Sequence, residues 1–146
     1  MAGRIITRDT DAREVARAAK RVAVLGIKTE QQATEPAYYV PEYLELAGVE
    51  VIPVPVYFPE VEQILGSKVY RRVSDIPGRV DIVDVFRRSQ DLAPHLADLL
   101  AARPYCVWLQ QGIRDDLFAQ KLAAAGIDVV QDRCLMIDHR LATTRV

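Results

Sequence analysis

The sequence predicts one α/β domain, three layers deep (α/β/α), around a doubly wound and mainly parallel sheet. Three observations carry this. Short apolar runs alternate with amphipathic stretches from residue 21 onward, the rhythm of strands joined by right-handed helical crossovers. The run Asp81–Phe86 is apolar enough for a strand covered on both faces. Arg21–Gly26 is a buried strand ending in glycine, followed by a polar loop and a helical pattern from Pro36 to Gly48. That strand–turn–helix is how a Rossmann-like unit turns backbone N–H groups toward a phosphate.

The elements follow in order. Residues 1–20 read as an N-terminal helical extension, with Thr10 or Asp11 as cap and Val15, Ala18 and Ala19 as the apolar stripe. Val22–Leu25 is the first strand. Tyr39–Ala47 is a helix stopped by Gly48, its apolar side set by Val40, Tyr43, Leu44 and Ala47. Val49–Val54 is a strand, Glu60–Leu65 a short helical turn ending at Gly66, Lys68–Arg71 a short strand and Val73–Pro77 another turn. Asp81–Phe86 precedes a helix from Ser89 to Ala102 with Leu92, Leu96, Leu99 and Leu100 inward. Tyr105–Leu109 is a strand, Asp115–Ala125 a helix stopped by Gly126, and Ile127–Val130 the last strand, whose apolar surface suits a homodimer. Trp108 and Cys106 read as core.

Composition narrows the function classes. With 146 residues the chain buries a real core without disulfides or metal. A net charge of −1 gives no field for nucleic acid. No apolar run reaches the roughly 20 residues of a membrane span, and no signal-peptide pattern is visible, so a cytoplasmic protein is expected. Cys106 and Cys134 match neither a disulfide framework nor zinc spacing, and the scattered carboxylates form no metal motif. His95 and His139 have no nucleophile beside them in sequence, so no catalytic residue is expected.

In a doubly wound sheet, ligands lie beyond the carboxyl ends of the strands, where strand order reverses. The loops there become the candidates. The first, Gly26, Ile27, Lys28 and Thr29, offers backbone N–H groups, a cation and a hydroxyl, and Pro36 suits the first turn of the helix that follows. The second, Val54-Pro55-Val56 with Tyr57 and Phe58, is a rigid apolar lip. It lacks the carboxylate that would hold an NAD ribose, and it suits either an adenine face or a packing corner. Arg87 and Arg88 place two guanidiniums, the natural phosphate partners, after the strand ending in Phe86. Gln110 and Gln111 have the amide chemistry for a pantetheine-like arm. Cys134, beside Arg133, is a candidate reactive thiol.

Five segments in order carry a family likeness beyond the Gly26 turn: Pro36–Leu44, Val51–Val54, Asp81–Arg87, Val107–Ile113 and Asp132–His139. Together they resemble the stand-alone CoA-binding domain proteins, which are similar to the N-terminal CoA-binding domain of succinyl-CoA synthetase α subunits. The resemblance covers about residues 20 to 141. It implies a Rossmann-like domain with CoA, or an acyl-CoA, along the carboxyl edge of the sheet. By position it puts Gly26, Lys28 and Thr29 at phosphate, and the helix start Pro36, Ala37 and Tyr38 beside them. Val54, Pro55 and Val56 then lie against the nucleotide, Val85, Phe86, Arg87 and Arg88 around adenine and phosphate, and Gln110 and Gln111 along the pantetheine. The family usually has serine where Ala37 stands, a small residue at Tyr39, and Asn-Pro at Pro55-Val56. A second domain bearing a catalytic histidine is not expected, so the resemblance implies a binder without its own chemistry. Two alternatives stay open: an NAD(P)- or thiol-dependent redox enzyme, and an interaction module that has lost its nucleotide ligand.

Overall fold

The computed structural model describes residues 2–144. Six strands form one parallel sheet: β1 (Ile5–Ile6), β2 (Arg21–Leu25), β3 (Glu50–Val54), β6 (Ile82–Val85), β7 (Cys106–Leu109) and β8 (Asp128–Val130), in the spatial order β1-β8-β7-β6-β2-β3. A separate antiparallel hairpin pairs β4 (Gln63–Ile64) with β5 (Ser67–Lys68). From β2 the chain runs outward to β3, then crosses to β6 on the other side. The order therefore reverses between β2 and β6, and a crevice opens at their carboxyl ends.

Alternation along the strands sorts the core into two layers. Leu25, Val54, Val83, Val85, Val107 and Leu109 pack under α3 (Leu96–Ala102) and α4 (Asp116–Ala124), through Leu99, Phe118 and Leu122. Val22, Val24, Ile82, Trp108 and Val130 pack under α1 (Asp9–Ala18), α2 (Pro36–Leu46) and α5 (Leu135–Thr143), through Ala12, Ala16, Val40, Leu44 and Leu135. The expected three-layer, doubly wound architecture is the one found.

Several elements differ from the sequence reading, each for a physical reason. Residues 1–20 hold more than a helix, because Ile5 and Ile6 pair with Val129 and Val130 and add an edge strand. The last strand β8 is thus flanked by β1 and β7 and is largely buried, so it offers no free apolar surface for a dimer. Glu60–Leu65 is not helical. Leu65 (φ 52°) and Gly66 (φ 75°) make the tight turn of the β4–β5 hairpin, and Lys68–Arg71 stays out of the main sheet. The helix expected from Ser89 begins only at Leu96. Pro94 supplies no N–H and obstructs the preceding turn, leaving 3₁₀ turns at Ser89–Asp91 and Ala93–His95. α5 carries only a sparse apolar stripe, which periodicity does not reveal. A bidentate pair from Arg133 to Asp138 (2.7 Å on each oxygen) and a bond from Arg133 to Asp9 (2.6 Å) bind it to its own N-terminal loop and to α1.

Candidate functional site

A cleft of about 590 Å³ occupies the switch point. It collects the loops after β2, β6, β7 and β8, in the order in which the strands lie. Of the residues expected from sequence, Lys28, Pro36, Ala37, Phe86, Arg87, Arg88, Gln110, Gln111 and Cys134 line it. Tyr39 and Gln90 line it too, although neither was among the expected contact residues.

The remaining expected residues lie elsewhere. Ile27, Val54 and Val85 are core; Pro55 is buried and Val56 packs against the core, so neither is on the cleft wall. Thr29 and Tyr38 face a second cleft of about 600 Å³. That cleft is lined by Glu30 and Glu60 and by no lysine or arginine. Burial, then the nearby Glu42, Glu30 and Glu45, push the Tyr38 phenol above its ordinary pKa. The switch-point cleft, by contrast, is lined by Lys28, Arg87 and Arg88 together with Glu35.

Gly26 shapes the cleft without lining it. Its φ of +89° is open to glycine at little cost. A Cβ at this position would lie far inside van der Waals distance of the Phe86 carbonyl oxygen, with Arg87 Cδ at 3.5 Å. The glycine thus lets the β2 turn close onto the β6 loop. Three of the four loop N–H groups expected to face a phosphate are engaged within the chain. Gly26 N–H donates to Val54 O (2.9 Å), Lys28 N–H to Ala37 O (3.1 Å), and Thr29 N–H to Gln32 Oε1 (3.0 Å). Pro41 explains the second of these. It sits inside α2 and has no N–H for the carbonyl four residues earlier, which is that of Ala37. The freed oxygen takes Lys28 N–H and fixes the loop to the helix.

Side chains supply the charge in the cleft. Lys28 is paired with Glu35, and the exposed Arg88 with Asp91 (2.9 Å). Arg87 differs, because among the described residues it meets no carboxylate. Its Nε–H donates to His95 Nε2 (3.2 Å), its Nη1 to the Tyr57 hydroxyl (3.4 Å), and its guanidinium stands 5.7 Å from the Tyr57 ring centroid. Burial, with a smaller contribution from the Arg87 charge, holds the His95 pKa below its ordinary value and keeps the ring an acceptor. Sequence offered no sign of this support, since His95 sits eight residues away along an irregular segment.

On the other side of the cleft, Gln110 is only 4% exposed. Its Oε1 accepts Leu135 N–H (3.0 Å), tying the β7 loop to the start of α5. Among the described residues its Nε2 has no partner. This amide donor is not sealed in the core and belongs to the cleft wall. Asp132 (φ 55°) accepts Gly112 N–H at 2.6 Å and fixes the outer loop. Cys134 is half-buried at the cleft, whereas burial pushes the Cys106 thiol far up and out of use. Arg133, expected to act on Cys134, is instead engaged with Asp138 and Asp9. Among the described residues no cluster of His, Cys, Asp or Glu could hold a metal ion, and no helix is long and apolar enough to cross a membrane.

Comparison with known proteins agrees with this geometry. The uncharacterized protein YneT of Bacillus subtilis is 32% identical over 127 residues, covering 87% of this chain and 90% of that one. Among solved structures, the Thermus thermophilus protein cell-free ID.343 superposes with a TM-score of 0.83 at 40% identity, over 93% of this chain and 99% of that one. A hypothetical protein from Pyrococcus horikoshii OT3 superposes at 0.82 with 27% identity, over 99% of each chain. Residues 20–140 match the CoA binding domain family, and the chain belongs to it.

Proposed function

We propose that the switch-point cleft binds CoA or an acyl-CoA, and that the protein is a binder with no chemistry of its own on the acyl group. Arg87 carries this reading. It is a half-buried cation without a carboxylate partner, held by His95 and Tyr57 at the sheet edge where such folds take phosphates. A diphosphate supplies the missing countercharge in the geometry a guanidinium fork prefers. The Gln110 Nε2–H then meets an amide carbonyl of the pantetheine arm. Lys28 and Arg88 reach the ligand by exchanging Glu35 and Asp91 for phosphate oxygens.

Titration calorimetry with CoA, NAD and pantetheine tests this. CoA binds and NAD gives no heat at the same concentration. Arg87→Ala lowers CoA affinity about 10- to 100-fold, the effect of losing a charged hydrogen bond of roughly 1.5–3 kcal/mol. Arg88→Ala lowers it less than about fivefold, because an exposed cation contributes under ~1 kcal/mol. Pantetheine, which has no phosphate, binds both variants as it binds the wild type. Absence of heat from millimolar CoA, or an equal loss for CoA and pantetheine, refutes the reading.

A further inference from the structure

We propose that Cys134 is a covalent docking point for CoA: its thiol forms a reversible mixed disulfide with CoA supplied as CoA disulfide. This rests on the cleft being a CoA site, and it adds a redox-controlled mode of retention to that reading.

Three independent features support it. Cys134 is half-buried in the cleft wall and sits immediately before α5, while the other cysteine, Cys106, is enclosed in the core. The amide of Gln110 stands beside it, because its Oε1 holds the N–H of Leu135, the residue after the thiol. The unpartnered Nε2 of that same side chain, itself 96% buried by its 4% exposure, points to an acceptor on a ligand passing next to Cys134. Strand order supplies the spacing. Arg87 follows β6 and Cys134 follows β8, with the β7 loop bearing Gln110 between them. Neighbouring strands lie ~4.8 Å apart, so the strands that lead to Arg87 and Cys134 end about 10 Å apart along the edge. A ligand with phosphates at one end, amides along its length and sulfur at the other meets guanidinium, amide donor and thiol in the same sequence.

The chemistry balances without a further reactant. Cys134 gives its proton to solvent, and the thiolate attacks one sulfur of CoA disulfide. The bond between the two CoA sulfurs breaks, a bond from Cys134 Sγ to one of them forms, and the second CoA leaves as thiolate. Cys134 is oxidised and the departing CoA is reduced. Attack by a small thiol reverses the step and frees the bound CoA.

The reduced full-length protein is incubated separately with CoA disulfide and glutathione disulfide, and intact mass is followed with time. One CoA adduct is expected, mapped to Cys134, absent in Cys134→Ser and removed by dithiothreitol. It forms at least about tenfold faster than the glutathione adduct, because binding raises the effective concentration of the reacting sulfur. Arg87→Ala slows the CoA reaction and leaves the glutathione reaction unchanged. An adduct on Cys106, equal rates for the two disulfides, or no adduct overturns the proposal. Titration of the reduced wild type with CoA separates the two levels. Binding without an adduct removes only the covalent step, and absence of binding removes the cleft reading beneath it.

Discussion

Gly26→Ala lowers the unfolding free energy by roughly 4 kcal/mol and eliminates measurable CoA binding. Two costs add. Holding alanine at a φ of +89° costs on the order of 1–2 kcal/mol. The methyl group also collides with the Phe86 carbonyl, and moving packed backbone costs about 1–3 kcal/mol more. The Phe86–Arg87 peptide has to retreat, which displaces Arg87 from His95 and Tyr57. Gly48→Ala isolates the first cost. Its φ is +91° and nothing lies within 4 Å of the added carbon, so it loses only the conformational part, ~1–2 kcal/mol. Urea unfolding of both variants gives the comparison. Equal destabilisation at the two sites would show that the β2 turn does not rest on the β6 loop.

Much of the architecture was legible because it depends on periodicity. Val22–Leu25 and Cys106–Leu109 are continuous apolar runs, and Ile82–Val85 is one broken only by Asp84; such runs in a helix-alternating chain specify central parallel strands. Their order then fixes the binding edge, so Arg87, Gln110 and Cys134 were identified from sequence as edge residues. What escaped depends on long-range partners. Ile5–Ile6 is too short to show alternation and becomes a strand only because β8 offers it an edge. α5 is held by Arg133, Asp138 and Asp9, residues up to 129 positions apart in the chain, and ion pairs leave no periodic trace. Three backbone donors of the Gly26 loop, those of Gly26, Lys28 and Thr29, looked available for the same reason. Their capture by Val54, Ala37 and Gln32 is tertiary, although Pro41 in the middle of the helix was a readable sign that one carbonyl would need a new donor.

Replacing Asp84 with valine stabilises the protein, and by more at higher pH. Asp84 is fully buried in β6, the strand at the centre of the switch, with Val24 and Trp108 as its cross-strand neighbours. Among the described residues neither of its oxygens has a hydrogen-bond partner. An unpartnered buried polar group costs about 1–3 kcal/mol, and a side chain of similar volume without the oxygens removes that cost. Burial alone raises the carboxyl pKa well above its ordinary value, so the folded protein holds the proton to higher pH than the unfolded chain does. The sign of the pH dependence follows. The unfolded chain releases this proton near pH 3.8, so the stability linked to it is fully present below that pH. As pH rises from there toward the folded-state pKa, that stability is lost at up to ~1.4 kcal/mol per unit, and the loss ends above it. The stability difference between Asp84→Val and the wild type therefore widens as pH rises above the ordinary carboxylate range. Urea midpoints at rising pH measure it. A difference that stays constant with pH would mean that Asp84 is ionised in the native state and has a partner the geometry does not supply. The same measurement with Asp84→Asn keeps the polar atoms and removes only the titration. It loses the widening with pH while retaining the desolvation cost, and so separates the charge from the burial.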